Sequence, residues 1–143
     1  MTKVEAICYL TLFCQLALTA YRLTASMYYS YFSTGNVRID GEHANIDCMV
    51  DLCRSQEGDW VPAARVLIDA LANHLDSEES ICREEGLNMT EAHRQEHRQL
   101  KQRLAQIEAQ VVDASIEKDF FLTAFRDILF YHISNFDKQL AEK

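Results

Sequence analysis

Residues that make turns are scarce. One proline and four glycines in 143 residues leave little room for the repeated reversals of a β-sandwich or barrel, so an all-α chain is the expected class. Positive charge is in deficit: 14 Lys+Arg against 22 Asp+Glu give a net charge of −8. That balance argues against nucleic acid and against an anionic membrane as partners. The five cysteines, Cys8, Cys14, Cys48, Cys53 and Cys82, are an odd number without C-x-x-C spacing. Neither a disulfide framework nor a zinc knuckle is expected, and a reducing, cytoplasmic setting is the simplest one. A membrane span needs about 20 uninterrupted apolar residues, and the run from Ala6 is stopped by Arg22. At this length a single hydrophobic core can form.

Residues 1–30 differ from the rest. They are apolar from Ala6 to Ala20 and then aromatic through Tyr28, Tyr29, Tyr31 and Phe32. Lys3 and the Ala-Leu-Thr-Ala stretch ending at Ala20 resemble a signal peptide only loosely, and Glu5 and Gln15 interrupt the pattern. The expectation is a helix that packs on the remaining bundle or on a second subunit, giving a homo-oligomer, with membrane association or export through this segment as the alternative.

The remainder reads as four helices. Phe32 to Gly41 reads as an irregular arm with a Gly35-Asn36 turn, and Asp40 as the N-cap of a helix to about Arg54. Asp59, with Pro62 in the first turn, opens a second helix that Gly86 ends. Its stripe is Ala64, Leu67, Leu71, His74, Glu78 and Ile81. A third helix, from about Thr90 to Asp113, carries His93, His97, Leu100, Leu104, Ile107 and Val111. A fourth, from about Ser115 to the end, carries Phe121, Phe125, Leu129, His132 and Phe136. Short loops require antiparallel neighbours, so the expected architecture is an up-down-up-down four-helix bundle over residues 31–143, with the apolar segment 1–30 as an additional helix.

What the sequence does have is one ordered pattern of histidines and acids. His43 stands alone, then His74 and Glu78, then His93 and His97, then His132 and Asp137, and no histidine is left over. Imidazole is the commonest metal ligand, and side chains four apart share a helix face. Any one of these histidines could be a hydrogen-bonded core residue. Five imidazoles and two carboxylates buried together without metal would each need a partner, at high cost. Cys82 lies one turn beyond Glu78 and is read as a small apolar filler.

Nitrogen with carboxylate suits iron or manganese, and seven ligands exceed one tetrahedral zinc. Six-coordination at two ions needs twelve bonds. Five come from histidines, four from two bridging carboxylates and two from one bridging oxygen, which leaves one position open.

This pattern resembles hemerythrin. The H-L-D-S-E, H-R-Q-E-H and His132/Asp137 elements, in this order after an isolated histidine, match that family's signature at all seven ligand types. The lead-in S-T-G-N-V-R-I-D-G-E-H ending at His43 is similar to that of the bacterial members. The similarity runs from about residue 31 to the C-terminus. Residues 1–30 have no counterpart in it, and the segment between His97 and His132 is longer than in the invertebrate oxygen carriers.

The resemblance implies two iron ions, cycling between Fe2+ and Fe3+, with a bridging oxo or hydroxo group. It also implies reversible O2 binding for storage, delivery or sensing. His93, His97 and His132 would fill one iron, His43 and His74 would serve the other, and Glu78 and Asp137 would bridge. Ile46, Leu129, Ile133 and Phe136 are candidates for the O2 pocket wall, which must stay dry. Glu42, Glu96 and Asp47 adjoin ligands and read as solvated groups or as hydrogen-bond partners of ligands. The chain ends six residues after Asp137, so a sensor would signal through a separate partner.

Two rival readings use the same residues. H-R-Q-E-H also matches the H-x-x-E-H peptidase pattern, with Glu96 as general base, but leaves His43, His74 and His132 without a role. A redox or repair protein handling peroxide, nitric oxide or iron is the nearer alternative, although the repair-type relatives tend to carry glutamate where His97 and Asp137 stand. Histidine-rich coordination favours binding over turnover.

Overall fold

A computed structural model describes residues 33–141 of the chain. The segment 1–30, expected to be an apolar helix, lies outside the described residues. The described residues form four α-helices and a closing turn, with no strand among them: α1 (Val37–Ser55), α2 (Val61–Glu85), α3 (Glu91–Val112), α4 (Lys118–Asn135) and a 3-10 turn (Asp137–Ala141). The residues from Thr34 onward make one compact unit. Within this helical bundle α1 packs on α2 and α4, and α2 also packs on α3. No described helix is long and apolar enough to cross a membrane.

Three helix starts follow from capping chemistry. Thr90 accepts the amide of His93 through its Oγ1 and opens α3 where expected. Asp59 accepts the amide of Val61 at 3.1 Å, so it serves the first turn of α2 although Trp60 holds the boundary position. The expected start of α1 is corrected: the helix begins at Val37, and Asn36 is the cap, accepting from the amides of Arg38 and Ile39. Asp40 instead accepts the backbone amide and the hydroxyl of Thr34, each at 2.8 Å. Two residues competed for the cap; Asn36 serves free amides of the first turn while Asp40 ties down the lead-in. The cap therefore lies four residues earlier than expected.

Gly86 ends α2 in the left-handed region, at φ 68°, where any Cβ is disfavoured. The fourth helix is also corrected at both ends. It starts at Lys118 rather than near Ser115, and it stops at Asn135 because Phe136 leaves the helical region at φ −124°, ψ −58°.

The stripes read from the sequence face inward. On α2, Ala64, Leu67, Leu71, His74, Glu78 and Ile81 are buried; on α3, all six expected positions from His93 to Val111 are buried. On α4, Phe121, Phe125, Leu129 and His132 are buried and Phe136 is partly so. The apolar half holds Trp60 against Phe121 and Phe121 against Phe125, with ring centroids 5.6 and 5.8 Å apart. A second apolar group of Ile39, Ile81, Cys82, Met89 and Leu140 closes the other end. The histidines lie between, and apart from Thr34 every buried polar residue among those described belongs to that cluster.

Candidate metal centre

All seven residues of the histidine and acid pattern are buried, with Glu78, His132 and Asp137 at 0% exposure. Their nitrogen and oxygen atoms converge into two groups. Glu78, His93, His97, His132 and Asp137 form one, and His43, His74, Glu78 and Asp137 form the other; within each group the ligand atoms lie within 4.8 Å of one another. Glu78 and Asp137 belong to both.

The shared carboxylates straddle the groups. Glu78 places Oε2 3.3 Å from His74 Nε2 and Oε1 3.3 Å from His93 Nε2. Asp137 places Oδ2 3.0 Å from His43 Nε2, and Oδ1 3.1 and 3.0 Å from the Nε2 atoms of His93 and His132. The break at Phe136 makes this possible. Side chains five apart on an unbroken helix diverge by about 140°, so Asp137 could not have turned toward the cluster with His132. The 3-10 turn swings it back.

These short distances are not hydrogen bonds. Both oxygens of Glu78 and of Asp137, and Nε2 of His93, His97 and His132, are buried without a hydrogen-bond partner. Atoms about 3 Å apart that do not point at one another point at common centres between them. An orphaned buried carboxylate or imidazole is costly, and a cation at each centre would satisfy the whole set. The donors are nitrogen and carboxylate oxygen, so the residues fit a borderline or hard transition-metal cation.

Electrostatics agree. Burial opposes the charge on Asp137, yet the imidazoles of His132, His43 and His93 outweigh it and hold the carboxyl well below its usual range. Glu78 is lowered in the same way, burial being overcome by His132 and His74. Burial also opposes protonation of His74 and His132. Glu42 and Glu78 overcome it for His74, and Asp137 and Glu78 for His132; each is pushed up to about 9. His97 moves the other way: burial, then the neighbouring His132, lower it to about 4. The two buried carboxylates stay ionised and draw protons onto His74 and His132, a positive charge that a bound cation would supply instead.

Sequence reasoning left several neighbours undecided. Glu42 accepts from His74 Nδ1 at 2.7 Å and from the Ser77 hydroxyl at 2.5 Å. Asp47 pairs with Arg126 at 3.3 Å and stands apart from the cluster. Glu96 belongs to neither ligand group. Glu79 was missed altogether; it accepts from His97 Nδ1 at 3.0 Å. Its signal was its place beside Glu78, one position around α2 toward α3. Cys82 is not among the grouped ligands, and burial, followed by the charges of Glu78 and Asp137, pushes its thiol up to about 12. Cys53 and Cys82 are buried free thiols.

The residues expected to wall a pocket divide. Ile46 lines an open groove of about 420 Å³ between α1 and α2, together with Glu42, Met49, Asn73 and His74. Leu129 and Ile133 are buried on α4 beside His132. Phe136 lies against the rings of His93 and His132, with centroids 5.4 and 5.9 Å away, and so adjoins the three-histidine group. No protein-family model, curated protein or solved structure matches this chain.

Proposed function

We propose that this chain is a hemerythrin-like protein that binds O2 reversibly at a non-heme di-iron centre. The observation that carries the reading is that two ligand groups, one with three histidines and one with two, share the same two carboxylates. His93, His97 and His132 would hold one iron, His43 and His74 the other, and Glu78 and Asp137 would bridge. An antiparallel up-down-up-down order of α1 to α4 accords with this, since short loops join α1 to α2 and α2 to α3, which pack side by side, and α4 packs on α1. Two iron ions would together supply, and take back, the two electrons that reversible capture of O2 involves.

The protein's own residues have distinct tasks. The two-histidine group has fewer donors, so an exchangeable position belongs there, and the groove bordered by Ile46, Met49 and His74 reaches that side. Leu129, Ile133 and Phe136 place apolar surface around His132, where they would keep water from the bridging carboxylates. The peptidase reading is disfavoured, because His93 and His97 share their group with three further ligands, Glu78, His132 and Asp137.

Optical titration of the anaerobically reduced, iron-loaded protein with O2 tests the proposal. A visible band that appears with O2 and disappears on deoxygenation is the expected result. Irreversible conversion to an oxidised form that no longer responds to O2 would favour redox turnover instead.

A further inference from the structure

We propose that Glu42 and Glu79 are positioning residues, one for each metal position, and that each fixes an imidazole carried by the next helix. The inference rests on the two-metal reading above. His74 turns Nε2 toward His43 and Glu78, at 3.1 and 3.3 Å, and Nδ1 toward Glu42 at 2.7 Å. His97 buries Nε2 without a protein partner and turns Nδ1 toward Glu79 at 3.0 Å. A ring that donates its Nδ1 proton to a carboxylate holds its Nε2 lone pair toward the metal in a fixed direction.

The arrangement is repeated from helix to helix. Glu42 precedes the ligand His43 on α1 and reaches His74 on α2; Glu79 follows the ligand Glu78 on α2 and reaches His97 on α3. Both carboxylates are about one-third exposed, at 33% and 28%, so water shares their charge and they do not add to the buried acids of the cluster. By contrast, Nδ1 of His43 and of His132 is buried without any hydrogen-bond partner. One histidine of the two-histidine group and one of the three-histidine group are therefore braced from outside. Ser77 holds Glu42 in turn, at 2.5 Å.

The test uses the full chain loaded with 57Fe2+ under anaerobic conditions, as wild type, Glu42→Ala, Glu79→Ala, the double variant, and the two Glu→Gln variants. Competition with a chelator gives affinity, and Mössbauer spectra distinguish the two iron environments. Each alanine variant is expected to weaken iron binding ten- to a hundredfold. Glu42→Ala should alter one quadrupole doublet, Glu79→Ala the other, and the double variant both. Glutamine keeps an oxygen acceptor for Nδ1–H, so Glu42→Gln and Glu79→Gln should restore most of the affinity and the native doublets. Unchanged affinity in both alanine variants, or the same doublet altered by both, would overturn the proposal while leaving the two-metal reading intact. A wild-type chain holding fewer than two irons would sink that reading and this inference with it.

Discussion

At the scale of the residue, the clustered imidazoles have two states of rest. Without metal, His74 and His132 are held protonated by the carboxylates around them, each with its pKa pushed up to about 9. With metal they must be neutral. The metal-free protein should therefore show a particular pH profile. Between the ordinary histidine value near 6.5 and about 9, folded His74 and His132 bind protons that the unfolded chain does not, so stability falls as pH rises through that window. His97, lowered to about 4, works oppositely: from about 6.5 down to 4 the unfolded chain binds its proton first, and stability falls as pH falls. Asp137 and Glu78, both lowered, contribute stability above the ordinary carboxyl range and lose it in acid. Thermal unfolding of the metal-free chain should thus be latest near pH 6.5. The alkaline decline should vanish when metal is bound; a melting temperature that rises from pH 7 to 9 in the metal-free chain would contradict this. Cys82 offers a simpler check. With its thiol pushed up to about 12 and the side chain buried, it should resist alkylation at pH 8 in the folded protein and react on unfolding.

At the scale of the element, helix ends decide which ligands meet. Gly86 adopts φ 68°, and a Cβ placed there would touch nothing within 4 Å. Gly86→Ala should then cost only the backbone penalty, about 1–2 kcal/mol, measured by denaturant unfolding. A larger loss would mean that the α2–α3 connection carries strain of another kind. On α4, Leu129 lies one turn before His132, and Leu129→Ala should destabilise by about 2–5 kcal/mol. The same change should leave iron bound but speed loss of the O2-binding form, followed optically; an unaltered rate would make Leu129 core and nothing more.

The stripes of α2, α3 and α4 were legible because core and ligands share one helical period, so Leu67, Leu71, His74 and Glu78 announce a single face. The position of Asp137 was not. Spacing alone cannot announce a break at Phe136, because the break depends on contacts that the 3-10 turn makes with α4. Asn36 read as part of a turn and Asp40 as the cap, and only the hydrogen bonds reverse this, Asn36 serving Arg38 and Ile39 while Asp40 holds Thr34. Glu79 went unseen because its partner His97 lies eighteen residues away on another helix.

At the scale of the molecule, the bundle brings four separate helical segments to one polar layer between two apolar ends. Residues from Thr34 onward form one compact unit and contain every expected ligand. A chain lacking residues 1–30 should accordingly fold and keep its full metal content, and loss of metal on that deletion would count against a self-sufficient bundle. Metal removal by chelation should lower the melting temperature of the full chain, since it returns buried carboxylates and imidazoles to an unsatisfied state.

The most direct measurement is the iron content of the full-length chain after anaerobic reconstitution with Fe2+, determined against protein concentration for wild type, His43→Ala and Glu78→Ala. Two irons per wild-type chain are expected. His43→Ala should retain the iron of the three-histidine group, and Glu78→Ala should weaken both positions because Glu78 serves both groups. One metal per wild-type chain, or two irons that survive Glu78→Ala undiminished in affinity, would contradict a shared-carboxylate centre.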